Sequence, residues 1–366
     1  MRQAQRHATA SILPGGRIIA PLGEQHATGA GPFGLAVGPS ARVVVTANGG
    51  MGRNSFTIFD REPSGRWTSQ QIAASSKEKV DEFGGTDWRG VFMGLALVND
   101  HTVWASEGNS GRVSQFDWGA DRRRVVDLNQ GGFHDSYTAD LAFDSDRGML
   151  YVVDQANFRV AVVDTKARQV VASVKVGRLP FAVALSPDRK KLYVTNVGMF
   201  EYRAIPGADP ADARGTGLAF PAFGFPSADA ANGAERQTAK GPVNVPGLGD
   251  ANVRESNSLA VVDVSNPTAP KVEAYVRTGA PFGGDSYGGS NPSGVVATAE
   301  RVYVSNAGND SVTVIDARTN AVEAEIPIRI PGLEKLRGVL PVGMAYHEKS
   351  GWLLVEIGRA SCRERV

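Results

Sequence analysis

Apolar and polar residues alternate along most of this chain in short runs with a period of two, the rhythm of half-buried strands and not of helices. Six segments repeat one pattern: Pro32–Val37 (PFGLAV), Phe92–Leu97 (FMGLAL), Ala139–Phe143 (ADLAF), Pro180–Leu185 (PFAVAL), Pro292–Ala297 (PSGVVA) and Pro341–Tyr346 (PVGMAY). Small residues alternate with larger apolar ones, which suits a strand packed on both faces where backbones come close. A second strand follows each: Val43–Asn48, Thr102–Ser106, Leu150–Asp154, Leu192–Asn196, Val302–Asn306 and Trp352–Val355. A third follows in five of the six, at Ser55–Asp60, Arg112–Asp117, Arg159–Asp164, Ser258–Asp263 and Ser311–Asp316. Each of these ends in Asp, which opens the next turn. A fourth is clear at Gln169–Val176 and Ala321–Ile328.

Ala36, Ala96, Ala142, Ala184, Val296 and Ala345 are equivalent positions, spaced by 60, 46, 42, 112 and 49 residues. Four antiparallel strands per forty-odd residues predict an all-β chain, a β-propeller of four-stranded blades. The 112-residue step hides an insertion at 199–255, rich in Gly, Ala and Pro, with the aromatic cluster Phe220, Phe223 and Phe225. It reads as a long loop: either a lid or docking arm, or a surface loop pinned to a neighbouring blade by those rings.

Composition narrows the function classes. Among 366 residues, 39 Lys and Arg balance 38 Asp and Glu, which disfavours nucleic-acid binding by bulk charge. No apolar run is long enough to span a membrane. No apolar stretch follows the basic Met1–Ala10, so no signal peptide is visible, and residues 1–15 are expected to be disordered. The one cysteine, Cys362, lies in 356–366, EIGRASCRERV. Those eleven residues resemble the translation of a sequencing adapter, which implies a non-native tail and a natural sequence cut at Val355. The propeller would then span 16–355, with charges balanced 36 against 36 and no thiol.

Leu192–Asn196 (LYVTN) and Val302–Asn306 (VYVSN), with the Val-Val-Asp and Val-Ile-Asp endings, resemble the YVTN repeat family of bacterial propellers that includes YncE-like proteins. The resemblance covers Gly31 to Val355 and implies seven blades, of which six starts are visible, the sixth truncated. Gly16–Leu22 looks like an outer strand of the last blade; without its partners it should pair elsewhere or lie exposed, and the ring should stay open. The resemblance also implies a periplasmic or extracellular address.

In such a blade, the loops before the first strand and between second and third share one face, which rims the central channel. That topology gathers Trp88, Arg89, Glu107, His134, Asp135, Asp154, Arg178, Asp285, Tyr287 and Arg337 there. Arg89, Glu107, His134, Asp154, Arg178 and Arg337 are the candidate ligand residues, and the arginines with the histidine would suit an anion. The bland alternative pairs these charges with one another. Asn48, Asn196 and Asn306, ending second strands, read as turn formers. The five histidines are scattered, no Gly-x-Ser-x-Gly elbow or P-loop occurs, and no metal or cofactor motif is visible.

Three functions follow. The first is a non-catalytic scaffold that binds a small anionic ligand or a protein partner. The second takes the motif order as similar to longer bacterial proteins in which such a propeller precedes an alkaline-phosphatase-like phosphoesterase domain, a domain absent from this chain. The third is a lactonase-like propeller hydrolase, built from His134, Asp140, Arg178 and Arg89.

Overall fold

β-Branched and aromatic residues in alternation pair into antiparallel ladders, and the Asp residues closing the third strands turn the chain. Asp164 Oδ1 accepts the N–H groups of Lys166 and Ala167, both at 2.8 Å, and Asp316 Oδ1 accepts those of Arg318 at 3.0 Å and Thr319 at 2.6 Å. The computed structural model describes residues 24–50, 53–73, 90–120, 122–202, 205–218, 224–283, 288–330, 332, 334–335 and 337–358, with the backbone of three short strands before them.

Five four-stranded sheets form in chain order. Blade 1 is Pro32–Val37, Val43–Gly50, Arg53–Arg61 and Trp67–Ala73; blade 2 is Leu95–Asn99, Thr102–Ser106, Arg112–Asp117 and Arg122–Asp127. Blade 3 is Thr138–Asp144, Met149–Asp154, Arg159–Asp164 and Gln169–Lys175; blade 4 is Pro180–Leu185, Lys191–Asn196, Ser258–Asp263 and Lys271–Arg277. Blade 5 is Pro292–Ala297, Arg301–Asn306, Ser311–Asp316 and Val322–Pro327, and blade 6 has two strands, Pro341–His347 and Trp352–Ile357. The repeat is thus as read from the alternation. Outer strands also form at Trp67–Ala73, Arg122–Asp127 and Lys271–Arg277, where no fourth strand was legible.

Blades meet through one kind of contact. The apolar core divides into clusters that each straddle a boundary. Val45 and Ile58 of blade 1 pack with Leu95 and Val103 of blade 2, and Trp104 of blade 2 with Leu141 and Leu150 of blade 3. Tyr151 of blade 3 packs with Val183 and Leu192 of blade 4, and Tyr193 of blade 4 with Val302 and Val304 of blade 5. Tyr303 of blade 5 stacks on Tyr346 of blade 6, centroids 5.8 Å apart. Each fully buried large side chain contributes about 1.5–3 kcal/mol, so the boundaries carry most of the stability.

Inner strands also approach closely, which explains the small residues of the repeat. A Cβ added at Gly34 would lie 2.0 Å from the Met93 carbonyl oxygen, and one at Gly94 would lie 2.2 Å from that of Ala139. Asp140 holds the corresponding position in blade 3. Its carboxylate accepts the Val183 N–H from the next inner strand at 2.9 Å and so bridges blades 3 and 4.

Inner strands touch in series from blade 1 to blade 6, and contact of that extent is missing between the inner strands of blades 6 and 1. The ring of described residues is open there. Blade 1 shows exposed Leu35 (65 %) and blade 6 exposed Trp352 (68 %) and Leu354 (57 %). Of the segment expected to complete a last blade, Ile18–Ile19 pairs with Ser11–Ile12, which pairs with Gln5–Arg6. Two short strands therefore fall within the stretch expected to be disordered. Among the described residues no helix is long and apolar enough to cross a membrane.

Within the insertion, the expectation of a long loop gives way to local structure. A turn of 3₁₀ helix at Pro210–Asp212 and short helices at Ala213–Thr216 and Ala228–Asn232 precede a hairpin of Gly233–Thr238 with Gly241–Pro246. Each short helix has its cap: Asp212 Oδ1 accepts the Gly215 N–H and Ser227 Oγ the Ala230 N–H, both at 3.0 Å.

Two uncovered apolar faces on one molecule should associate. The chain is expected to self-associate with concentration in sedimentation velocity, and Leu35→Lys with Trp352→Lys to abolish this with unchanged circular dichroism. A strictly monomeric wild-type chain at high micromolar concentration would contradict the open-ring reading.

Candidate functional site

One polar cluster recurs at the same level of every four-stranded blade. A residue at or near the end of the second strand faces one at or near the start of the third: Asn48 with Ser55, Asp154 with Arg159, Asn196 with Ser258, Asn306 with Ser311. In blade 2 the corresponding pair is Glu107 with Arg112. The residue types change together. Where the first is an amide the second is a serine; where it is a carboxylate the second is an arginine. Asn48 Nδ2 donates to Ser55 Oγ at 3.2 Å and Thr57 Oγ1 at 3.0 Å, and Asn306 Nδ2 to Ser311 Oγ at 3.2 Å and Thr313 Oγ1 at 2.8 Å. Asn48 and Asn306 therefore clasp strand to strand by side-chain bonds, whereas Asn196 Nδ2 bonds Ser258 Oγ at 3.1 Å and also the Ser258 carbonyl at 3.4 Å, a backbone bond of the kind the sequence suggested. Blade 6 has Ile357 at this level, paired with Pro341.

The charged versions are buried. Glu107, with a fully covered side chain, meets Arg112 Nη2 at 2.7 Å and Arg123 Nη2 at 2.6 Å and also accepts from Ser114 Oγ. Asp154, equally covered, meets Arg159 Nε at 2.8 Å. Arg159 further donates to Ser173 Oγ at 2.9 Å and the Leu128 carbonyl at 2.8 Å, and its guanidinium lies 3.5 Å from the centroid of the Phe133 ring. Buried charges persist only when paired and hydrogen-bonded in this way. In blades 2 and 3 the two carboxylates are therefore neutralised by strand arginines of their own blade, and not by the candidate arginines or His134 with which the sequence alternative paired them.

The other candidates disperse. Arg178 staples the insertion: its Nη1 donates to the carbonyls of Met199 and Asp250 (3.0 Å to the latter) and faces Ser256 Oγ at 3.3 Å. One side chain thus ties both ends of the insertion together. His134 is exposed, and its carbonyl accepts from Asn157 Nδ2 at 3.1 Å; the same amide donates to Asp154 Oδ2 at 2.9 Å. That link joins His134 to Asp154 through the backbone and leaves the imidazole outside it. Arg337 is exposed and donates to the Glu334 carbonyl at 3.2 Å. Arg89, with Trp88, Asp285 and Tyr287, lies outside the described residues. His134, Asp140 and Arg178, the described members of the hydrolase set, share no hydrogen bond or ion pair with one another. Among the described residues no group of three His, Cys, Asp or Glu side chains could hold a metal.

Asp140 is chemically distinct. Burial pushes its pKa up from 3.8 to about 6, against the pull of the N–H groups of Val183 and Leu141.

A cavity of about 610 Å³ lies elsewhere, between the insertion and the loop leading to blade 5. Phe200 and Phe225 of the insertion meet edge-on at 5.2 Å, and Phe225 and Phe282 lie tilted at 5.1 Å. Asn252 fixes Phe282 by both backbone groups, accepting its N–H at 3.0 Å and donating to its carbonyl at 2.9 Å. Phe225 therefore pins the insertion to the next blade's loop, as the aromatic cluster suggested; Phe220 and Phe223 lie outside the described residues. Phe200, Phe282 and Asn252 were not legible as site residues, because their meeting depends on two loops separated by a strand pair.

The described residues define a β-propeller protein. The β-propeller domain of Cps50 (Swd1) from Myceliophteria thermophila is similar at 12% identity and a TM-score of 0.55, over 96% of this chain and 91% of that one. A protein of unknown function from Desulfotomaculum acetoxidans is similar at 10% identity and a TM-score of 0.54, over 97% and 88%. Both show the fold alone. No family model matches the chain, and no curated protein matches its sequence.

Two outcomes test the clasp and Asp140. Arg159→Leu leaves Asp154 buried and unpaired and should cost about 3–5 kcal/mol, whereas Asp154→Asn with Arg159→Ser, the pairing of blades 1, 4 and 5, should restore most of it in urea titrations. Because the folded-state pKa of Asp140 is raised, its stabilising contribution is complete below about pH 4 and lost as pH rises through about 6. The urea midpoint should fall across that window, and Asp140→Asn should remove that part of the slope.

Proposed function

We propose that this chain is a non-catalytic binding propeller that takes a small ligand or a partner segment at the face carrying the insertion. One observation carries the reading: the insertion has capped helices and a hairpin, is stapled by Arg178, and with Phe282 lines an open cavity of about 610 Å³. That volume is typical of small-molecule sites, which are largely apolar with a few placed polar groups. The internal pairing of Glu107 and Asp154 supports binding here in preference to the channel mouth. Membership of the YVTN propellers and an address outside the cytoplasm belong to the same proposal and rest on the repeat motifs.

The test is a ligand-observed NMR screen of a mixed small-molecule library on the full chain, repeated with Phe225→Ala. Hits are expected to lose at least tenfold in affinity in the variant. Hits indifferent to Phe225→Ala but lost with His134→Ala, or turnover of a lactone, ester or phosphoester by the purified chain, would overturn the reading.

A further inference from the structure

The cavity beside the insertion has a distinctive pairing of surfaces. Its apolar side is the aromatic row Phe200, Phe225 and Phe282, whose rings touch in sequence at 5.2 and 5.1 Å. Phe200 is buried, Phe282 half-buried and Phe225, between them, 45 % exposed. Among the described residues, the one charged residue lining the cavity is Asp250. Its Oδ1 accepts the Asn252 N–H at 2.8 Å, which fixes the carboxylate beside the residue that clamps Phe282. No bond to its other carboxylate oxygen is seen among the described residues. Arg178 approaches the same residue but bonds its carbonyl oxygen at 3.0 Å, and Arg277 bonds the carbonyl of Asn252 at 2.6 Å. Both guanidiniums thus hold the loop backbone.

We propose that this cavity binds an organic cation: a ring or short branched aliphatic group lying on the phenylalanines, with an ammonium head at Asp250. Aromatic faces carry negative potential and attract ammonium groups, and a carboxylate at the edge of the row sets where the charge sits. A free amine and a lysine side chain of a partner peptide share this chemistry. The inference rests on the binding reading above and names the ligand class for that site, in place of the anion suggested by the arginines of the sequence.

The experiment titrates the full chain at pH 7 with three probes of one ring: benzylammonium, benzyl alcohol and benzoate. Benzylammonium is expected to bind about tenfold tighter than benzyl alcohol, with benzoate weakest. Asp250→Asn keeps an oxygen for the Asn252 N–H and, at an exposed position, should leave the melting temperature unchanged while it removes the preference for the cation. Phe225→Ala should weaken both benzylammonium and benzyl alcohol. Equal binding of the three probes, lost together in Phe225→Ala, overturns the ligand class and leaves the binding reading standing. Tightest binding of benzoate assigns the site to Arg178 and overturns the proposal. Binding of none overturns it as well, and the library screen then decides the binding reading separately.

Discussion

Trp104, Tyr151, Tyr193 and Tyr303 stand at one level of successive second strands, and each packs against the blade that follows. This contact is the constraint on which the rest of the architecture depends. A single four-stranded sheet has two apolar faces and cannot cover either alone, so each blade is stable only between neighbours. The small residues of the inner strands follow from the same demand, since a side chain at Gly34 or Gly94 would strike the backbone of the next inner strand. The exposed Leu35, Trp352 and Leu354 are what this contact looks like where its other half is missing.

Polar chemistry is arranged around that apolar series. Within each four-stranded blade the end of the second strand is clasped to the start of the third, by an amide and a serine or by a carboxylate and an arginine. The two versions place different charges at one level of one fold, which shows that shape sets the position and that local pairing satisfies it. A lone carboxylate there would carry the cost of a buried charge; beside Arg112 and Arg123, or Arg159, it closes a network. In blades 2 and 3 these residues are charged, yet each charge is paired inside its own blade. Function is better supported where the fold departs from its repeat, at the insertion of blade 4.

Arg178 shows how a residue's place in the sequence can mislead. It precedes an inner strand, as ligand residues at a channel mouth would, but the insertion's ends at Met199 and Asp250 converge on it, and its donors go to their carbonyls. Asp140 is the reverse case. It stands where Gly34 and Gly94 stand in their blades, an irregularity visible in the repeat once aligned, and its meaning comes from the Val183 N–H that reaches it across a blade boundary.

The sequence by itself determined the strands, their order and the four-strand period, because alternation, turn residues and close-packing glycines are local and repeat. It also marked the insertion and its aromatic cluster. The outer strands at Trp67–Ala73, Arg122–Asp127 and Lys271–Arg277 escaped it, since their weak alternation becomes regular only when paired to a third strand. Tertiary structure alone decided which charges neutralise one another, how the insertion is stapled, and that Phe200, Phe225, Phe282 and Asp250 share a cavity. Those outcomes depend on contacts between segments far apart in the chain, such as Phe200 and Phe282, and no local pattern encodes the distance between them.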